Sequence, residues 1–152
     1  MQIKRNSDIP LSMAEALVDL VRRYVIALDP EAKPHEAGIV RSLVPVIAGA
    51  GGISMYVGVA INDAGAPIGV LMGYNALAPL DGEIQAHAPL LMVDGGAEGV
   101  TATTATELVA DFEAWGKERQ ATVLRVELAA GCGMPMLIGF RPATSGYSKR
   151  IA

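Results

Sequence analysis

The chain has 152 residues, of which 51% are hydrophobic and 18% charged, and its formal net charge at pH 7 is -4. This composition is typical of a globular protein with a well-buried core and excludes an intrinsically disordered chain. The acidic balance argues against a nucleic-acid partner, and the absence of an apolar run of roughly 18 residues argues against a membrane partner.

Helices are predicted in the first third of the chain, after one short strand. Met1–Arg5 alternates in polarity and predicts that strand. Apolar residues then recur at helical spacing between positions 13 and 28, and Asp29-Pro30 ends the pattern. A second helix is expected from about Pro34, and Pro45 would kink or end it.

Three strands are predicted in the middle of the chain. Ile53–Ile61 and Pro67–Tyr74 are rich in branched and aromatic residues, and Asn62–Gly65 between them is a hairpin-turn sequence. Ile84–Val93 is apolar at nearly every position from Ala86 onward, which is typical of a strand covered on both faces. The first two of these strands should therefore be antiparallel neighbours.

The chain continues with a glycine-bearing segment, a helix and further strands. The segment Asp94–Thr106, DGGAEGVTATTAT, precedes a helical pattern, and Thr122–Leu128 predicts the next strand. A strand, a helix and a strand in this order form a crossover unit, so Ile84–Val93 and Thr122–Leu128 should lie parallel. Met136–Phe140 and Tyr147–Ile151 would add two last strands. This order predicts an α/β fold with a mixed sheet and helices on both faces.

The cysteine and the histidines limit the chemistry that the chain can carry. Cys132 has no partner for an internal disulfide, so we expect a cytoplasmic protein, or a virion protein if a phage encodes it. His35 and His87 have no Cys, Asp or Glu at a metal-ligand spacing, and no metal site is predicted. The N-terminal residues lack the apolar core of a secretory signal, and residues 1–152 are expected to form a single domain.

Three segments of the chain resemble the Gcn5-related N-acetyltransferase (GNAT) family. The stretch FEAWGKERQATVLRVEL at 112–128 is similar to the part of the family in which an amphipathic helix passes into the fifth strand. IGFRPATSGYSKRI at 138–151 is similar to its C-terminal Gly-Phe-x-Pro signature and the basic strand that follows. MQIKRNSDIPLSMAEALVDLVRRY resembles its first strand and helix. The resemblance extends over the whole chain and is most specific for 112–151.

This resemblance implies a GNAT-like acyl-CoA N-acyltransferase fold, with acetyl-CoA as acyl donor and a primary amine on a small molecule or peptide as acceptor. In the family, the donor binds where the fourth and fifth strands diverge, and its diphosphate lies on the loop and helix N-terminus that follow the fourth strand. The resemblance places three strand residues and four residues of the next segment at the donor: Leu91, Met92, Val93, Gly95, Gly96, Gly99 and Thr101.

Two positions depart from the family pattern. The diphosphate segment has no Lys or Arg and carries Glu98, whose carboxylate would oppose a diphosphate at roughly 5–6 Å by about 1–3 kcal/mol at an effective dielectric near 20. Pro135 stands where the family often has the tyrosine that protonates the leaving thiolate. Tyr147, near the C-terminal strand, is the candidate replacement for this acid. The resemblance makes His87 the candidate base, because some members place a Glu or a water-linked base on the fourth strand, and water is the alternative for each role.

Each candidate also has a purely structural interpretation. His87 would then be a strand histidine bonded to a neighbour, Tyr147 a packing residue, and the glycines a requirement of the strand-to-helix turn. Cys132 lies near the expected thioester, but no base for it is visible in the sequence. For the whole chain, three functions stay open: an N-acetyltransferase, a sensor that binds a CoA-like ligand without turnover, and a non-catalytic protein such as a phage virion or assembly component. Assembly into a homo-oligomer also stays open.

Overall fold

The structure is a computed structural model that describes residues 1–52, 54–77, 82–94 and 98–127. Two short 3-10 turns, Asn6–Asp8 and Leu11–Met13, lead from the first strand into the first helix. The strands and helices of the described ranges are β1 Gln2–Arg5, α1 Ala14–Leu28, α2 Glu36–Ile47, β2 Met55–Ile61, β3 Pro67–Leu77, β4 Ile84–Val93, α3 Glu98–Glu118 and β5 Val123–Val126.

The strands form one mixed sheet in the order β1-β2-β3-β4-β5. The first four are antiparallel to their neighbours, and β5 pairs with β4 in parallel. The turn between β2 and β3 is closed by the Asn62 side chain, which accepts hydrogen bonds from the backbone N–H groups of Ala64 and Ala66. The predicted mixed sheet, with its antiparallel hairpin and its parallel crossover, is confirmed.

Helices cover both faces of the sheet. On one face, α1 and α2 bury a cluster that includes Leu17, Leu43 and Val57. On the other face, α3 buries a second cluster that includes Tyr56 and Phe112. Because alternate residues of a strand point to opposite faces, the apolar run of β4 contributes to both clusters. No helix of the described ranges has the length and apolarity to span a membrane.

Two helices extend further than the sequence predicts. α3 begins at Glu98, inside the segment predicted as a loop, because Thr101 and Thr104 are buried and packing against the sheet outweighs the modest helix propensity of threonine. α2 continues past Pro45 to Ile47, and the backbone N–H of Ala50 donates to the Pro45 carbonyl at 2.7 Å. Tertiary packing therefore fixes both helix ends.

A β-bulge lies in the middle of β4. Tyr74 of β3 pairs with His87 and Met72 with Leu90, so two residues of β4, Ala88 and Pro89, lie opposite one residue of β3. The pairing of β4 with β5 also ends at Ala88, which is the partner of Val126. Bulges bend a strand and redirect its side chains. This one separates the half of β4 that pairs with β5 from the half that runs on to Val93.

Candidate active site

The second half of β4 presents backbone groups on the side away from β3. Asp94, just after β4, donates its N–H to the Ile68 carbonyl at 2.7 Å. Since peptide groups alternate in direction along an antiparallel ladder, those of Leu91 and Val93 point away from β3. The Tyr24 hydroxyl of α1 donates to the Leu91 carbonyl at 3.3 Å. In the described part of the chain, β5 pairs with β4 only as far as Ala88, so the outward peptide groups of Leu91 and Val93 have no strand partner there and can meet a ligand.

Three polar side chains form a hydrogen-bonded row across β3, β4 and the end of β5. The Tyr74 hydroxyl lies 2.9 Å from Nδ1 of His87, and Nε2 of His87 lies 2.9 Å from Oε1 of Glu127. We call this the Tyr74–His87–Glu127 row. An ionised carboxylate can only accept, so Nε2 carries the hydrogen when His87 is neutral, and Nδ1 then accepts from the Tyr74 hydroxyl.

The row lies on the α1–α2 face of the sheet because of strand register. Tyr74 and His87 are direct partners, as are Met72 and Leu90, so all four side chains point to one face. Met72 and Leu90 pack against the α1–α2 cluster. Glu127 lies two residues beyond Arg125, the β5 partner of His87. Alternation therefore brings three residues that are distant in sequence onto one side of the sheet.

An open pocket of about 670 Å³ lies beside this row, between the α1–α2 connection and the sheet. Met72, Pro89 and Leu90 line it on the sheet side, and Val25 and Ile39 on the helix side. The Met72–Leu90 pair is the neighbour of the Tyr74–His87 pair along the strands, at a spacing of roughly 7 Å. The pocket thus combines an apolar wall with a hydrogen-bonded titratable cluster close by, as ligand sites often do.

A cation from α1 lies at the end of β4. Nη1 of Arg23 is 3.4 Å from both carboxylate oxygens of Asp94, and Nε of Arg23 is 3.1 Å from Asp19. Asp19 also accepts a hydrogen bond from Arg22 at 2.6 Å, and this bond holds the pKa of Asp19 below its ordinary value. The start of the β4–α3 connection therefore lies beside positive charge that the segment itself lacks.

The residues predicted at the donor lie in three different settings. Leu91, Met92 and Val93 are in β4, where the Leu91 and Met92 side chains are buried on opposite faces and only backbone groups reach a ligand. Gly99 and Thr101 lie at the start of α3 rather than in a loop.

The remaining predicted residues lie outside the described ranges. Gly95 and Gly96 belong to the undescribed part of the β4–α3 connection, and Tyr147, Cys132 and Pro135 belong to 128–152. In the described ranges, no cluster of three His, Cys, Asp or Glu side chains could hold a metal ion.

Tyr74 and Glu127 belong to this site although sequence reasoning did not select them. Their contact with His87 depends on the β3–β4 register, which the bulge at Ala88 and Pro89 shifts by one residue, and on the β4–β5 register. A pattern of polar residues at strand positions 74, 87 and 127 was the only sequence signal that could have found them.

No protein-family model and no curated protein matches the chain. Solved structures are similar over nearly its whole length. An acetyltransferase of Trypanosoma brucei is 14% identical, with a TM-score of 0.70 and 99% of each chain covered. A ribosomal-protein-alanine N-acetyltransferase of Brucella melitensis biovar Abortus 2308 is 17% identical, with a TM-score of 0.67 and coverage of 99% and 100%. A GNAT family acetyltransferase of Staphylococcus aureus is 16% identical, with a TM-score of 0.66 and the same coverage. The chain therefore has the fold of the GNAT acetyltransferases, as the resemblance implies.

Proposed function

We propose that this chain, whose fold is that of the GNAT acetyltransferases, belongs to that family and transfers the acetyl group of acetyl-CoA to a primary amine. The observation that carries the proposal is the place of His87. It lies on β4, on the sheet face beside the 670 Å³ pocket, and its imidazole is held by hydrogen bonds on both ring nitrogens. A proton acceptor in this position is what attack by an amine on a thioester requires.

The edge of β4 fits the pantetheine arm of the donor. The Leu91 and Val93 peptide groups point away from β3, and the Tyr24 hydroxyl already reaches the Leu91 carbonyl from α1. An amide N–H of the pantetheine arm would donate a hydrogen bond to the same Leu91 carbonyl. Backbone hydrogen bonds therefore recognise the donor at β4. Such recognition does not require polar side chains, and those of this strand are apolar.

Arg23 supplies charge for the diphosphate. Residues 94–106 contain no Lys or Arg, whereas Arg23 of α1 reaches Asp94 at the start of that segment. A diphosphate at the start of α3 would compete with the Asp94 carboxylate for the guanidinium, whose planar donors suit phosphate oxygens. The N-terminus of α3 adds favourable backbone partial charge at the same place.

The pocket between the α1–α2 connection and the sheet is the proposed acceptor site. Its lining is mostly apolar, so it favours an amine attached to an apolar group over a highly charged one. Lys33 and His35 stand among the lining residues of the connection. A peptide N-terminus with apolar side chains and a small alkylamine both meet this description.

Acetyl-CoA, when bound, supplies the activated thioester, and the chain supplies position and proton transfer. The amine must be neutral when it attacks, so a group of the protein or a water molecule has to accept a proton. In the described ranges, the Tyr74–His87–Glu127 row is a proton-accepting cluster next to the pocket, and His35 is a second imidazole, on the lining itself.

Thermal unfolding with and without acetyl-CoA tests donor binding. At 100-fold excess over its dissociation constant, a ligand that binds only the native state adds about 2.7 kcal/mol to the free energy of unfolding. We expect a rise in Tm with acetyl-CoA and a smaller rise with acetyl-pantetheine, which lacks the diphosphate. No shift with millimolar acetyl-CoA would contradict the proposal and favour the non-catalytic alternative.

A further inference from the structure

We propose that Tyr74 is the side chain that contacts the acceptor amine, that it passes the amine proton to His87, and that Glu127 positions the imidazole for this transfer. This inference rests on the proposed function and assigns its proton path. The side chain that contacts the substrate is then Tyr74 on β3, and not His87 on β4.

The first reason is that both nitrogens of His87 are already engaged. Nδ1 lies 2.9 Å from the Tyr74 hydroxyl and Nε2 lies 2.9 Å from Glu127. A direct contact between the imidazole and an amine would require one of these bonds to break. A phenol oxygen, in contrast, keeps an acceptor lone pair while it donates its hydrogen to Nδ1.

The second reason is accessibility. Tyr74 is exposed, whereas His87 is half-buried. The Tyr74 and His87 rings meet edge to face, with 5.3 Å between their centroids. A substrate that approaches this face from the pocket side therefore meets the phenol more readily than the imidazole. Tyr74 also follows Met72 of the pocket wall on the same face of β3.

The proton path balances without any further reactant. As the amine nitrogen forms its bond to the acetyl carbon, its proton moves to the Tyr74 oxygen and the Tyr74 proton moves to Nδ1 of His87. The imidazolium that results is stabilised by the Glu127 carboxylate. When the carbon–sulfur bond breaks, the same proton returns through Tyr74 to the sulfur. One amine proton has then become the thiol proton, and the row is restored.

This path also supplies an acid at a position that the resemblance did not indicate. The family often has a tyrosine at the position of Pro135, and proline has no acidic proton. A phenol on β3 that both receives and returns the proton makes a second acid unnecessary. Tyr74 would then perform both proton transfers.

A purely structural row is the alternative, and it makes different predictions. A cross-strand hydrogen bond contributes to stability, so its loss would lower the urea midpoint of unfolding and leave turnover unaffected. Tyr74→Phe removes the hydroxyl and keeps the ring, which separates the two interpretations. Gln85→Ala, a truncation two residues before His87 on the same face of β4, is the matched control.

The test measures kcat, acceptor KM and the acetyl-CoA dissociation constant for the full chain and these variants, with stability checked by urea unfolding. We expect Tyr74→Phe to lower kcat by about 100- to 10,000-fold with donor affinity within about two-fold of the original chain. Gln85→Ala should keep kcat. If Tyr74→Phe keeps kcat within two-fold in a chain that does turn over, the inference is wrong and the proposed function stands. If the original chain binds no acetyl-CoA and acetylates no amine, the proposed function fails and the inference fails with it.

A second measurement examines the row independently of turnover. In ¹⁵N-correlated NMR spectra of the original chain, His87 should carry its hydrogen on Nε2. Glu127→Ala, which removes the acceptor for that hydrogen, should alter the tautomer signature and lower kcat by about ten-fold or more. His35, the other histidine, provides the reference signal, because its Nδ1 accepts from the Gly38 N–H. An Nδ1–H tautomer at His87 would reverse the direction of the row and overturn the proposed path.

Discussion

Gly73 of β3 lies so close to Phe112 of α3 that a Cβ at position 73 would be 2.6 Å from the phenyl ring. It would also be 2.9 Å from the His87 carbonyl. Gly73 is the single β3 residue opposite the bulge that contains Pro89. The absence of a side chain at 73 therefore lets α3 press against the sheet directly behind the row that contains Tyr74 and His87.

We expect Gly73→Ala to destabilise the fold by about 1–3 kcal/mol, because the added methyl group cannot fit without a shift of the ring or of β4. Urea unfolding measures the loss. Phe112→Leu in the same chain should recover part of it, although Phe112→Leu alone is destabilising. Unchanged stability in Gly73→Ala would mean that the ring moves aside freely.

Arg23 and Asp94 should affect donor affinity in opposite directions. Arg23→Gln removes the cation and should weaken acetyl-CoA binding by about 3- to 10-fold, a modest effect because the side chain is half exposed. Asp94→Asn removes the competing carboxylate and should strengthen binding by about 2- to 5-fold. Titration calorimetry at low salt measures both.

Arg41→Gln is the charge-matched control for this pair, because Arg41 is an exposed arginine of α2. It should leave acetyl-CoA affinity within two-fold. Equal effects of the Arg23 and Arg41 substitutions would reduce the role of Arg23 to net charge alone.

Ser42 tests the acceptor pocket. It lines the pocket, and its hydroxyl donates to the Gly38 carbonyl within α2 at 2.6 Å. Ser42→Leu should narrow the pocket and raise the KM for bulky apolar amines at least about three-fold, with donor affinity unchanged. Ser42→Ala, which removes the same hydroxyl without adding bulk, separates the steric effect from the lost hydrogen bond. Unaltered acceptor KM in Ser42→Leu would place the acceptor elsewhere.

Glu118 should contribute a small, pH-dependent part of stability. The Arg5 guanidinium donates to its carboxylate at 2.8 Å and lowers the pKa of Glu118 from the usual 4.5. A lowered carboxyl pKa gives stability that is present above the unfolded-state pKa and is lost as the pH falls through the folded-state pKa. Glu118→Gln should therefore be less stable than the original chain at pH 7, by less than about 1 kcal/mol.

The stability difference between Glu118→Gln and the original chain should disappear at acid pH. Urea unfolding from pH 7 to pH 3 should show the difference between Glu118→Gln and the original chain shrinking below about pH 4.5. A difference that stays constant over this range would mean that the effect of the substitution does not come from the charge on Glu118.

The sequence was sufficient for the order of the elements and for one residue of the site. Branched and aromatic runs located the strands, and the bounds Ile84–Val93 agree with β4 at both ends. His87 was proposed because the GNAT resemblance implies a base on this strand, and its role as the base stays a prediction. These strands can be recognised within a short stretch of sequence, from the alternation of apolar and polar residues or from a continuous apolar run.

Features that depend on distant contacts could not be predicted in the same way. No sequence pattern around Tyr74 indicated a function, because its contact with His87 depends on a β-bulge that hydrophobic periodicity does not reveal. Arg23 likewise meets Asp94 only because α1 packs on this face of the sheet. The early start of α3 at Glu98 has the same origin, since Thr101 and Thr104 are in the helix because they are buried against the sheet, although threonine has only modest helix propensity.

The most direct measurement is acetyl transfer itself, followed by mass spectrometry of the full chain with acetyl-CoA and a panel of primary amines that includes peptides with apolar N-termini. We expect the original chain to produce acetylated amine and free CoA in equal amounts. Turnover should be largely lost in Tyr74→Phe and retained in Gln85→Ala. A chain that forms no acetylated amine with any member of the panel, and that shows no binding of millimolar acetyl-CoA, would contradict the proposed function.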